Sequence, residues 1–478
     1  LLSPWPKSRR LNLGKKAFSP NLRWPLKEVQ STPMSTTTYI LVKKAPLAEP
    51  ALEVAAVAVI NKRNVMQHTN ISKQLGVAAS SLLAASQAQA ADSETLYSSW
   101  NVDVGYLYYE EPEYIAVDTY MAMINGNLSD KDTIKLGVVF DTLSGATPSG
   151  ALPDSEIVSV SGVSGGGVSG AGGSGGKVAF DDTRLAVDVQ WGHELKRLLR
   201  SKVSAYMSVE GDYTAVGGSL GIEQDSEDKA YTLSAAIGLA TDKVSKSDES
   251  TPEPLEELAN AANYGAGHKN AVDLMIGATR VINRRTQGML NLSYSLSLGY
   301  HTDPYKIISV ADSADTELTQ VTEHRPDTRE RFIIFSKIMH ELPSSGHHLG
   351  LSYRFHADSW NVNSHTFEGS YNIKLKSQNT IEPFLRLYHQ QAADFYTRTI
   401  LIESGTVFSD VSLPTHASAD VRLSEMQSTT LGTKYTYKTS AKGSIDARIG
   451  YYHRNYTDAI INDDGAYFVQ IDFSKAFN

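Results

Sequence analysis

The residues with chemistry to offer are carboxylates, guanidiniums and imidazoles. Asp141, Asp182, Asp212, Asp303, Asp327, Asp358, Asp394 and Asp420 supply the acids. Arg184, Arg325, Arg329, Arg354, Arg386, Arg398 and Arg422 interleave with them. His301, His324, His356, His365 and His389 accompany both sets. Three kinds of chemistry suit such a collection. Asp and Arg can pair through charge-assisted hydrogen bonds and brace a wall. Opposed rings of charge can set the selectivity of a pore. Carboxylates can also hold a hard divalent cation such as calcium, and His with Asp a transition metal. No segment has a recognised ligand spacing; Asp463-Asp464-Gly465 lacks the rest of an EF-hand loop. No metal ligand is therefore assigned, and no cofactor is expected beyond such a cation.

Catalysis finds little support. There is no Cys, which excludes thiol nucleophiles, thiolate metal sites and disulfides. Gly162-Val163-Ser164-Gly165-Gly166 matches the hydrolase pattern G-x-S-x-G, but it sits in a Gly/Ser tract, Gly162 to Gly176, with no helix after it. Lys177 follows that tract, yet Ala171 and Val178 break the P-loop pattern. Ser364 and His365 are adjacent, and neighbours in a strand point to opposite faces, so they cannot form a dyad there. No catalytic residue is assigned and no enzyme activity is expected.

The elements that would position the charges are strands. Ala466–Phe477 alternates: Tyr467, Val469, Ile471, Phe473 and Phe477 share one face, while Phe468, Gln470, Asp472 and Ser474 take the other. Trp100–Glu110 mirrors it, with Trp100, Val102, Val104, Tyr106 and Tyr108 together. The same reading predicts strands at Ile115–Leu128, Thr133–Asp141, Asp182–Trp191, Ser201–Tyr213, Gly217–Glu223, Ala230–Thr241 and Ala271–Ile282. It continues through Met289–Tyr300, Arg331–Leu342, Leu349–Asp358, Asn363–Leu375, Ile381–Gln390, Ser428–Lys438 and Ser444–Tyr452. That makes about sixteen, an even number as single-chain bacterial barrels require.

The connections sort by parity. Ser129–Lys131, Gly192–Arg197, Gln224–Lys229, Asn283–Gln287, Pro343–His347, Lys376–Asn379 and Thr439–Gly443 are short polar turns. Between them lie long segments at Thr142–Phe180, Asp242–Asn270, His301–Glu330, Gln391–Met426 and Arg454–Gly465. Three links on that side, near Glu111–Glu113, Thr214 and Ser359–Val362, are short. Long loops on one rim and short turns on the other are what outer-membrane barrels show, whereas a soluble sandwich has no reason to sort its loops this way. The expected fold is all-β: a transmembrane antiparallel β-barrel with long extracellular loops and short periplasmic turns. The charged residues above then fall near its extracellular mouth.

Bulk properties agree. Mean hydropathy is −0.26 and no run of eighteen apolar residues is present, so a helical membrane protein is not expected. Residues 1–90 hold 12 Lys+Arg against 3 Asp+Glu, which leaves 32 against 50 for 91–478. That acidity argues against nucleic acid as a partner. Residues 66–90 read as a signal peptide: a weakly basic start, an apolar run Leu75 to Ala85, and Ala88-Gln89-Ala90 as the cleavage pattern. Residues 1–65 are basic and without period, and are expected to be a disordered or non-native leader. Residues 91–478 are left as the barrel domain.

Several clusters carry a resemblance: Asp141–Gly150, Gly299–Lys306, His324–Arg329, Ser352–Trp360, Ser364–Thr366, Tyr388–Tyr396 and Ser418–Leu423. Together they resemble the bacterial domain-of-unknown-function family 3570. The similarity covers roughly Ser98 to Phe477, and the 1–65 leader lies outside the family pattern. What the resemblance implies is an outer-membrane barrel of unassigned biochemical function.

The function this predicts is passage of a small solute or an envelope component across the outer membrane of a Gram-negative bacterium, after signal-peptide export. The alternative is a non-conducting structural or docking barrel that holds a partner or ligand at the cell surface. The required partners are outer-membrane lipid and the barrel-assembly machinery. An unidentified envelope protein is a further partner class.

Overall fold

A strand with lipid on one side and water on the other needs apolar and polar residues in alternation. Every alternating run named above becomes a strand. The computed structural model describes residues 100–112, 114–145, 149–152, 157–158, 170–171, 180–246, 248–376, 378–439 and 442–477. In chain order the strands begin β1 (Trp100–Glu110), β2 (Ile115–Asn127), β3 (Asp132–Gly145), β4 (Ile157–Val158), β5 (Gly170–Ala171), β6 (Phe180–Lys196) and β7 (Leu199–Val209). They continue β8 (Tyr213–Asp225), β9 (Tyr231–Val244), β10 (Gly267–Asn283), β11 (Thr286–Gly299), β12 (Ile307–Ala311), β13 (Glu317–Thr322) and β14 (Thr328–Glu341). The last are β15 (His348–Asp358), β16 (Ser364–Lys376), β17 (Asn379–Gln390), β18 (Ile400–Leu401), β19 (Glu425–Lys438), β20 (Gly443–Thr457) and β21 (Asp463–Phe477).

Sixteen of these close into one antiparallel barrel, each paired with the next in chain order. The five short ones, β4, β5, β12, β13 and β18, lie in loops. β1 closes on β21, from Trp100 opposite Phe477 to Glu110 opposite Tyr467. Among the described residues the helical pieces are the 3-10 turns Phe408–Asp410 and Val421–Leu423, and no helix is long and apolar enough to cross a membrane.

The outer face is apolar and open. Leu431 is 62% exposed, Leu239 59% and Ile276 57%. A band of this kind around a whole barrel matches hydrocarbon, not water. Aromatic side chains edge it. Trp191, Tyr231, Tyr435, Tyr437 and Phe477 lie toward the short-turn rim, and Phe140, Tyr294, Phe332, Tyr451 and Tyr467 toward the other. The barrel is thus a transmembrane one.

Two boundaries differ from expectation. Tyr213 opens β8 rather than ending the strand before it, so the link is Glu210–Asp212 and not the region of Thr214. Arg454–Gly465 is no long loop: β20 runs to Thr457 and β21 starts at Asp463. Its Asn and Asp residues read as loop because they are polar, yet here the strands project past the apolar band. The leader, the signal segment and the Gly/Ser tract, Gly170–Ala171 apart, lie outside the described residues.

Four long loops fold onto one another over the mouth. β12 lies between β13, antiparallel, and β18, parallel. Ile308, Val310, Val321, Ile400, Ala417 and Ala419 form its buried core, with Leu255 and Phe408 packed against it. The loop after β9 joins through Leu258 N–H donating to the Gln320 carbonyl, 2.7 Å. The loop after β3 joins through Leu152 N–H donating to Ser309 Oγ, 3.0 Å. Two glycines make the close approaches. Gly150 and Gly299 hold φ of 106° and 114°, and a Cβ on either would strike a backbone carbonyl, that of Ile307 or His268.

Candidate functional site

Strand parity decides which charges meet. Asp141 on β3 and Arg184 on β6 stand directly opposite in register and face inward. Arg184 Nε donates to Asp141 Oδ2 at 2.5 Å, and Thr119 Oγ on β2 donates to Asp141 Oδ1 at 2.5 Å. One carboxylate thereby ties three strands. Glu368 and Arg386 repeat the arrangement on β16 and β17, with Nε donating at 2.6 Å. This pair and Arg354 face inward from the lumen wall. Arg354 makes no ion pair among the described residues, and it lies across Thr366 from Tyr388.

At the top of β14, Arg329 is fully buried. Its Nε donates to Asp358 Oδ2 at 2.7 Å, and its guanidinium lies 4.0 Å from the centroid of the Trp360 ring. Asp358 Oδ1 accepts from the Trp360 and Val362 amides, so the same carboxylate also shapes the link after β15.

The centre of the cap is a buried ion network. Arg325 Nη2 donates to Glu323 Oε2 at 2.7 Å and to Asp420 Oδ2 at 2.9 Å. Arg422 Nε donates to Asp420 Oδ1 at 2.7 Å, and its Nη2 reaches Asp303 Oδ2 at 3.1 Å. The Asp303 amide donates to Glu323 Oε1 at 2.7 Å, and Ser418 Oγ donates to Glu323 Oε2 at 2.5 Å. Burial alone would raise the Asp420 carboxyl; Arg422, Arg325 and Lys306 outweigh it and hold the group well below the usual carboxylate range. Burial raises Glu323 despite Arg325, with Asp303 and Asp420 adding repulsion. Lys306 is pushed down to about 8 by burial, against the pull of Asp420.

His301 pins this cap into the lumen. Its Nδ1 lies 2.7 Å from the Gly299 carbonyl and so carries the proton; its Nε2 accepts from Ser297 Oγ at 2.8 Å, an inward residue of β11. Burial, with Lys269 and Arg331 adding repulsion, pushes the imidazole down to about 2. It therefore stays neutral.

The expected ring is brought together only in part. Asp303, Arg325, Asp420 and Arg422 form one network, and Arg329 with Asp358 and Asp141 with Arg184 form pairs. Asp182 stands apart, beside Glu210 and Asp212. Asp327 and Asp394 are exposed; the Asp327 carbonyl accepts from Gly299 N–H, and Asp394 Oδ1 accepts from Asn361 Nδ2 at 3.0 Å. His365 is a correction. It faces outward with Tyr353 and Phe355, its Nδ1 2.9 Å from the Tyr353 hydroxyl, within the aromatic edge of the lipid-facing band. The Ser-His-Thr run has no apolar alternation to fix its parity.

Some residues escaped the sequence reading. Glu323 is central to the cap, yet nothing in its spacing marks it. Glu111, Arg454 and Asp464 form a second fully buried ionic group at the β1–β21 seam, where Arg454 Nη2 donates to Glu111 Oε1 at 2.9 Å and to Asp464 Oδ2 at 2.5 Å. Beside it, Leu107, Tyr109, Val117, Leu143, Tyr452 and Phe468 make an inward apolar cluster.

A model of the family described as "Protein of unknown function (DUF3570)" matches residues 72–471. No curated protein matches the sequence. Solved structures with a similar shape include a mutant ferric enterobactin receptor, PfeA, of Pseudomonas aeruginosa, at 9% identity and a TM-score of 0.37. That match covers 76% of this chain and 54% of the receptor, so the chain spans about half the receptor's length. A bacterial polysaccharide outer membrane secretin is 9% identical, with 80% and 99% covered and a TM-score of 0.40. OccAB3 of Acinetobacter baumannii is 8% identical, with 80% and 99% covered and a TM-score of 0.36. Likenesses at these scores carry no inference about activity.

Proposed function

Because the chain belongs to the DUF3570 family of proteins of unknown function, we propose a role from its own geometry: an outer-membrane barrel that passes a small polar solute or envelope component. The observation that carries this reading is the lumen wall below the cap. Lys135, Asp188, Arg354, Glu368, Arg386 and Asp446 face inward there and remain half-buried. Ionisable groups are stable on such a wall when water reaches them. Arg354, free of an ion pair among the described residues, is the group best placed to act on a passing charge.

On this reading the bacterium is Gram-negative, the short-turn rim faces the periplasm and the capped rim faces outward. Outer-membrane lipid and the barrel-assembly machinery are the partners. The role is passage rather than catalysis.

The buried cap network favours a second reading, a docking barrel that presents an ordered surface to a partner or ligand. Planar-bilayer recording separates the two. Passage predicts discrete conductance steps from the wild type, with ion selectivity shifted several-fold toward cations by Arg354→Glu. Silence from both the wild type and a variant in which residues 307–322 are replaced by a short Gly/Ser linker would refute passage and leave docking. Conductance from the linker variant alone would mean passage gated by the cap.

A further inference from the structure

We propose that Asp182, Glu210 and Asp212 form a calcium site at the barrel mouth. One carboxylate oxygen from each lies within 4.8 Å of the others. Oxygen ligands held about 2.3–2.6 Å from Ca2+ stand roughly 3–5 Å apart, so a single ion can reach all three; Mg2+, at about 2.0–2.1 Å, demands a tighter set. The absence of His and Cys from the group selects a hard cation over zinc or copper.

Local structure places the three acids. Asp182 lies at the start of β6, and Glu210 and Asp212 flank Gly211 in the link between β7 and β8. The backbone of that link is held on both sides: Glu210 N–H donates to the Tyr213 carbonyl at 2.8 Å, and Ser245 N–H donates to the Asp212 carbonyl at 2.9 Å. The backbone that carries Glu210 and Asp212 is therefore held without an ion.

A second observation points to a ligand. Asp212 is 4% exposed, and neither of its carboxylate oxygens has a hydrogen-bond partner on another residue. Leaving a buried carboxylate without donors is costly. Of the nearby cations, Arg184 bonds to Asp141 and its charge also favours Glu210, but neither it nor Lys246 donates to Asp212. The Lys246 ammonium lies over the Tyr305 ring at 5.6 Å. Burial, then Glu210, Asp182 and Asp303 in that order, raise the Asp212 carboxyl to about 8. A divalent ion would supply the missing positive charge and draw the wall at β6–β8 toward Asp303 of the cap.

The test is calorimetric titration of the full chain, refolded in detergent and stripped with a chelator, with CaCl2 and separately MgCl2. One Ca2+ per chain is expected, with Mg2+ bound at least tenfold more weakly. Asp212→Asn, Glu210→Gln and Asp182→Asn should each weaken Ca2+ tenfold or more while keeping the heat-modifiable band of a folded barrel. No Ca2+ binding by the wild type overturns the proposal, as does Asp212→Asn binding like the wild type. A thermal midpoint that rises in Asp212→Asn, and in the wild type ignores Ca2+, would show carboxyls sharing a proton and no cation site.

Discussion

The two rims of this barrel are built from the same sheet by different means. On the short-turn rim, Ser129 and Ser226 close their own turns. Ser129 Oγ donates to Asp132 at 2.5 Å, and Ser226 Oγ to Asp228 at 2.5 Å, with the turn residues exposed. On the capped rim the bonds are long-range: Arg325 to Asp420 spans 95 residues and Arg422 to Asp303 spans 119. A turn needs only local chemistry to reverse a strand. A cap with a fully buried ionic centre must be specified by distant segments that meet only in the fold. Connectivity explains the first rim and leaves the second without a reason unless the cap has a task.

The sharpest way to break this contrast is Arg325→Ala. It takes the guanidinium from Glu323 and one of two from Asp420, and removing one partner of a buried pair costs about 3–5 kcal/mol. Hydrogen exchange read by mass spectrometry should show that loss in residues 300–327 and 391–424 while β1 and β21 keep their protection. Equal loss throughout would mean that cap and barrel are one cooperative unit.

His301 gives a smaller, pH-dependent effect. Its folded value, about 2, lies below the ordinary unfolded value of about 6.5. The unfolded cap thus binds a proton that the folded cap refuses, and cap stability falls as pH drops below about 6.5. The slope is about 1.4 kcal/mol per unit. His301→Asn should flatten the curve between pH 6.5 and 4.5, measured as urea dependence of protease cleavage in residues 391–424. A slope unchanged by the substitution would remove His301 from the cap's anchorage.

The smallest effect belongs to the short-turn rim. Leu198 holds a φ of 78° between β6 and β7. Leu198→Gly should relieve that strain and gain about 1 kcal/mol or less in guanidinium unfolding, since glycine also adds unfolded-state entropy. Any change in cap exchange from this substitution would contradict the independence of the two ends.

How much of this was legible follows from the range of each signal. Alternation is local, so all sixteen barrel strands could be read, from Trp100–Glu110 to Ala466–Phe477. Parity is local too, but it fails where apolar residues do not mark a face, as at His365. Polarity misled at Arg454–Gly465, because a strand outside hydrocarbon has no need of apolar residues. Arg325, Asp420 and Arg422 were legible as candidates by type, whereas Glu323, the partner of Arg325, was not. Nothing in a linear spacing tells that Glu323 and Ser418 will face each other.

The pairing of β1 with β21 has a kinetic consequence. The residues it joins are 357 to 377 apart in the chain, and bringing such distant segments together costs roughly 5 kcal/mol of loop entropy in a free coil. Fourteen intervening barrel strands shorten that path only once they have formed hairpins. The seam, with its buried Arg454, Glu111 and Asp464, is therefore set to be among the last contacts made. Until it forms, two unsatisfied strand edges face lipid, where each unpaired backbone group costs several kcal/mol. A substitution such as Arg454→Leu, which leaves Glu111 and Asp464 without their cation, should accordingly loosen the finished barrel more than it slows the earlier hairpin steps.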